Sequence, residues 1–205
     1  NKIRSIINYA IRNGLVRYEI HPFAYYRGMK ADPKENDISV DDIRLIRDSV
    51  PTSKGMIKAR DIFMLSFYLG GINLIDLISY DFRNTDEIEY IRNKTKNTKK
   101  SNRKISFSIP PEARPIINRW MNPTNGHLDF HNSGSYTSFK NNTTRSIKHL
   151  AIALGIKKAD KVCYYSARKS FVQIGFDLGI PLEVLEYCIG QSMKSDRPIY
   201  NYLKI

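Results

Sequence analysis

Apolar residues recur at helical spacing along much of the chain. Ile3, Ile6, Ile7, Ala10 and Ile11 form one stripe of a helix that Gly14 ends. Pro22, Gly28 and Pro33 interrupt the pattern, and residues 23–36 read as a linker. Ser39-Val40-Asp41-Asp42 is a capping-box variant with its acids well placed in the first turn. The helix it starts runs to about Val50 and stops before Pro51. Ile57 to Leu69 is a long apolar helix ended by Gly70-Gly71, and Leu74 to Ser79 is a short helical turn.

The period then changes. Ile105, Phe107 and Ile109 alternate, so Glu87–Thr95 and Lys104–Ile109 read as two strands, joined as a hairpin by the polar stretch Asn97–Asn102. Glu112–Met121 is helical, and a loop rich in Gly, Asn and Ser runs to about Tyr136. Three more helices are predicted: Thr137–Leu154, Ser166–Leu178 and Pro181–Ile189. Lys194–Ile205 reads as irregular or a short helix. The expected fold class is mainly α with a small antiparallel β-sheet.

Composition adds a partner. The 205 residues suit one full domain plus part of another, and because the first residue is Asn the chain reads as an excerpt of a longer one. A net charge of +13 and a pI near 9.7 favour a polyanion, nucleic acid first and an anionic membrane surface second. No basic amphipathic helix rich in Trp or Phe supports the membrane, no apolar run is long enough to span one, and the N-terminus lacks a signal-peptide pattern. Cys163 and Cys188 make neither a disulfide framework nor a CxxC pair and read as buried free thiols. The four histidines have no metal-binding spacing, since His127 and His131 lie in a Gly- and Asn-rich loop. Neither a metal nor a cofactor is expected.

Three stretches carry candidate chemistry. The hairpin from Arg92 to Lys104 holds Lys94, Lys96, Lys99, Lys100 and Arg103 and no acid. Such cations either line a DNA backbone or protect a strand edge. Ser166 reads as an N-cap, which would put Arg168 in a first helical turn, where free amides already attract anions and a guanidinium can grip a phosphate. Gly190 reads as a left-handed helix terminator, and Tyr200 stands nine residues after Gln191.

The order of these pieces carries more than any one of them. It runs from a two-glycine turn after an apolar helix, through a hairpin with Lys94-Thr95, to Tyr-x-x-Arg at 165–168, Ile-Gly-Gln at 189–191 and Tyr200. In this order the chain resembles the tyrosine recombinase (phage integrase) family, and Phe67–Leu77 and Tyr165–Ser170 look like the integrases of Bacteroides-type mobile elements. The resemblance covers roughly residues 35–205. It implies the DNA breaking-rejoining catalytic fold over 37–205, with 1–22 as the end of a helical core-binding domain.

The resemblance also implies an enzyme: a metal-independent, site-specific DNA recombinase working through a 3′-phosphotyrosine. Tyr200 matches the nucleophile, Arg168 the second of two phosphate-binding arginines, and Lys94 the general acid, with Lys96 as fallback. Three positions depart from the family pattern: Asn73 replaces the first arginine, Tyr165 a histidine, and Gln191 a histidine or tryptophan. Loss of one charged donor costs about 10² to 10³ in rate. Lys169 is expected to restore some positive charge and to join Lys96, Lys99, Lys100 and Arg103 on DNA. The implied partner is double-stranded DNA, bound as a tetramer by a protein that is a monomer without it. The implied location is the bacterial cytoplasm, at the nucleoid. The substitutions motivate a second reading: a degenerate relative that binds DNA as a regulator or accessory factor without cutting it.

Overall fold

A computed structural model describes residues 2–26, 35–93, 104–131, 134–191 and 199. By its contacts the chain divides into two compact units, 1–33 and 34–205. In the first, α1 (Lys2–Arg12) is amphipathic, yet it buries none of its residues and leaves Ile3 and Ile6 largely exposed. His21 bonds the Asn8 side chain at 2.8 Å, and the Arg4 guanidinium lies over the Phe23 ring.

The second unit begins with α2 (Val40–Asp48). Ser39 caps it, and Asp42 reaches back to Ser39 to complete the expected capping box. The helix α3 (Lys54–Tyr68) starts three residues earlier than the apolar pattern suggests, because the Ser53 hydroxyl accepts from the Met56 amide. It buries Ile62, Phe63, Met64 and Leu65 completely or nearly so, which a helix does only when packed on several sides. Its main partners are α6 (Tyr136–Ala153) and α7 (Tyr164–Asp177). Asp61 is buried on α3 and receives bonds from Arg60, Arg119 and the Trp120 indole, the last two at 2.8 Å. That carboxylate ties α3 to α5 (Arg114–Trp120).

The short helix α4 (Leu74–Ser79) follows the two-glycine turn. Strands β1 (Glu87–Ile91) and β2 (Lys104–Ser108) pair antiparallel, with Ile88 opposite Phe107 and Tyr90 opposite Ile105. β1 ends four residues before the expected Thr95. The predicted hairpin tip, with Lys94, Lys96, Lys99, Lys100 and Arg103, lies outside the described residues. The last helix among the described residues is α8 (Leu182–Cys188), and Ile199 is buried with Val172, Leu185 and Ile189. The architecture is mainly α with a small antiparallel sheet, as the periodicity implies.

Candidate functional site

The start of α7 differs from expectation. Cys163, not Ser166, is the N-cap, and the Ser166 hydroxyl accepts from the Cys163 amide at 3.0 Å. Ser166 therefore fills the third helical position, the returning half of a capping box. Arg168 consequently sits in the second turn, past the free amides that would attract an anion. Cys163 and Cys188 are free thiols, half-buried rather than buried.

Arg168 is 2% exposed, among the largest side chains buried in the molecule. Its Nη1 donates to the Gly71 carbonyl at 2.8 Å, and its Nη2 donates to the Ile189 carbonyl. One guanidinium thus joins the turn leading to Asn73 with the turn leading to Gln191. Tyr164, one helical turn back on the same face of α7, donates its hydroxyl to the Ile72 carbonyl at 2.6 Å. Burial holds the Tyr164 hydroxyl far above the usual phenol range. Gly71 has φ of 70°, and a Cβ there would lie 2.6 Å from the Arg168 Cα. Only glycine permits both the left-handed backbone and this approach.

Asn73 precedes α4 and turns its amide to Asp76, donating to Oδ2 at 3.1 Å. The other Asp76 oxygen accepts from the Asn93 backbone amide at 2.9 Å. Asn93 immediately precedes Lys94, so position 73 is linked through a buried carboxylate to the end of the described part of the hairpin.

The Gly190 turn has a second clasp that the sequence did not reveal. Arg92, just past β1, donates Nη1 to the Gly190 carbonyl at 3.0 Å. A Cβ on Gly190 would lie 2.6 Å from the Arg92 Cδ, so the side chain lies flat on the glycine. The amides of Gly190 and Gln191 bond the Tyr187 and Glu186 carbonyls, the double closure of a Schellman motif, and Gly190 has the expected positive φ of 60°. Nothing in the sequence near Arg92 announces its role, since its partner lies 98 residues away.

Tyr90 lies among these groups. Burial raises its hydroxyl to about 12, the nearby Arg168 and Arg92 charges oppose the rise, and Asp76 and Cys188 add to it. Its Oη has no hydrogen-bond partner.

Of the residues singled out from sequence, Arg168, Asn73 and Gln191 converge through their turns, with Gln191 half-buried. Tyr165 is 41% exposed on the first turn of α7. Lys169 is 7% exposed, so it lies in the interior rather than on a surface open to DNA. Lys94 and Tyr200 lie outside the described residues, though the preceding residues Asn93 and Ile199 are each held. Among the described residues no cluster of His, Cys, Asp or Glu could hold a metal, and no helix is long and apolar enough to cross a membrane.

The fold is that of the tyrosine recombinases. The crystal structure of XerA recombinase matches 98% of this chain and 69% of its own, with a TM-score of 0.60 at 14% identity. A lambda integrase dimer bound to a COC′ core site matches with a TM-score of 0.61 at 14% identity. A lambda integrase tetramer bound to a Holliday junction matches with a TM-score of 0.56 at 13% identity. This chain is 98% covered in both integrase matches but spans only 57% and 58% of those chains. No protein-family model and no curated protein matches the sequence.

Proposed function

We propose that this chain carries the catalytic domain of a site-specific DNA recombinase of the mobile-element integrase type. The Tyr200 oxygen attacks the scissile phosphorus, a P–O bond to Tyr200 forms, and the bond to the 5′-oxygen breaks. Lys94 gives its proton to that leaving oxygen, and the 3′-phosphotyrosine is later resolved by a 5′-hydroxyl. The observation that carries the reading is the Arg168 clasp, which draws together the turns before Asn73 and Gln191.

In this reading Arg168 holds the floor of the site and supplies positive field there. A second guanidinium, Arg92, stands in for the charge that Asn73 lacks. Both are close enough to act on the Tyr90 hydroxyl, which supports a shared positive centre. The proposed partner is double-stranded DNA. By analogy with the integrase dimer and tetramer on DNA, the working form is an oligomer on DNA, here a tetramer; without DNA the chain is proposed to be a monomer. The proposed setting is the bacterial cytoplasm, and residues 1–22 are proposed to end a core-binding domain.

The test is a nicked suicide substrate carrying the protein's own attachment site. A covalent adduct that survives denaturant and disappears in Tyr200→Phe supports the reading. An adduct that persists in Tyr200→Phe removes Tyr200 from the chemistry. Two observations favour the alternative, a DNA-binding relative that does not cut: the Asn73 amide is bonded to Asp76, and both Arg168 terminal nitrogens are bonded to backbone. That alternative predicts binding to the same substrate with no adduct. In either case affinity falls steeply with added salt.

A further inference from the structure

On the α3–α6 side of the molecule lies a cleft of about 340 Å³. Its floor is Ala59, Ile62 and Phe130, which belong to the core, and Phe139 lines its wall. Lys58 and His131 are its ionisable lining groups. The His131 Nε2 is buried with no hydrogen bond, while the ring packs edge-on against Phe139 at 4.8 Å. The Lys58 ammonium lies 5.8 Å from the Trp120 ring centroid, with no hydrogen bond or ion pair to the described residues. Burial lowers the Lys58 pKa and the neighbouring Lys54 charge lowers it further, with Asp129 opposing. The Trp120 ring and Asp129 therefore compensate its charge only in part. Ser138 and Ser146 add hydroxyls to the α6 wall. At the mouth stands Gly55, where an added Cβ would meet nothing within 4 Å.

We propose that this cleft binds a small organic anion: a phosphate ester or carboxylate head between Lys58 and His131, with a compact apolar body over Phe130 and Phe139. The chemistry is a cation and an imidazole N–H for the head, above an apolar floor for the body. It is separate from the Arg168 centre and does not depend on cleavage by Tyr200.

Phenyl phosphate is titrated into the full chain and followed by NMR at the His131 ring and the α3 and α6 amides. Saturable shifts are expected there, with benzyl alcohol binding about tenfold more weakly for want of the charge. Lys58→Met weakens phenyl phosphate by about tenfold or more, and Gly55→Trp, which fills the open mouth, abolishes it while the far-UV spectrum and Tm hold. Duplex DNA binding by the two variants identifies the natural source of the anion. Unchanged affinity assigns the cleft to a free small molecule, and a parallel loss assigns it to a DNA phosphate. The absence of saturable shifts, or equal affinity in wild type and both variants, overturns the site.

Discussion

Arg92 lies flat on Gly190 and gives its Nη1 to that residue's carbonyl oxygen at 3.0 Å. The contact fastens the base of the hairpin to the turn that presents Gln191, and it sets a second guanidinium, besides Arg168, near Tyr90.

Arg92→Ala is therefore expected to reduce covalent adduct formation by about 10² to 10³, with a much smaller change in duplex affinity. Asn73→Arg in that background is expected to restore part of the loss. A suicide-substrate time course measures both. Arg92→Ala cleaving at the wild-type rate would remove Arg92 from the site.

Arg168→Lys separates holding from charge. One ammonium cannot span the Gly71 and Ile189 carbonyls, and a lost charged hydrogen bond costs about 1.5–3 kcal/mol. Urea unfolding should show a lower midpoint together with a loss of adduct. Gly71→Ala is expected to act alike, since its Cβ would meet the Arg168 backbone.

Asp61 offers a stability test away from the chemistry. Asp61→Ala leaves Arg60, Arg119 and the Trp120 indole without their shared acceptor, and an unsatisfied buried donor costs about 1–3 kcal/mol. The urea midpoint should fall with little change in slope, and the effect should be similar with and without DNA.

Tyr90 predicts an alkaline signature. Its hydroxyl is held at about 12 against an ordinary value near 10, so the unfolded chain loses this proton first as pH rises. The stability linked to it is intact below pH 10 and drains away between 10 and 12. Tyr90→Phe should be as stable as wild type or more so at neutral pH, because the buried hydroxyl has no partner. Its advantage should widen across that alkaline window in pH-dependent urea titrations.

Where local chemistry decides, the sequence was readable. Ser39 with Asp42 marked the start of α2, and the αL glycine at 190 marked the end of α8, because caps and terminators act within a few residues. The α7 start was misread because Ser166 serves as the returning half of a capping box and the helix begins on Cys163, a poor cap by propensity. That three-residue shift of the cap moved Arg168 from the helix mouth to its second turn. The burial of Lys169 and Asp61 and the reach of Arg92 to Gly190 depend on partners far along the chain, which no local pattern encodes.

Tyr164 and Arg168 grip the carbonyls of Ile72 and Gly71 from a helix buried against α3. Local breathing cannot release that turn without exposing two large buried side chains, so its opening should follow the unfolding of the whole core. The Gly71 amide, bonded to the Ser66 carbonyl at 2.7 Å, should then exchange hydrogen as slowly as the amides of mid-α3. In native-state exchange the floor of the site would belong to the last unit of the molecule to come apart.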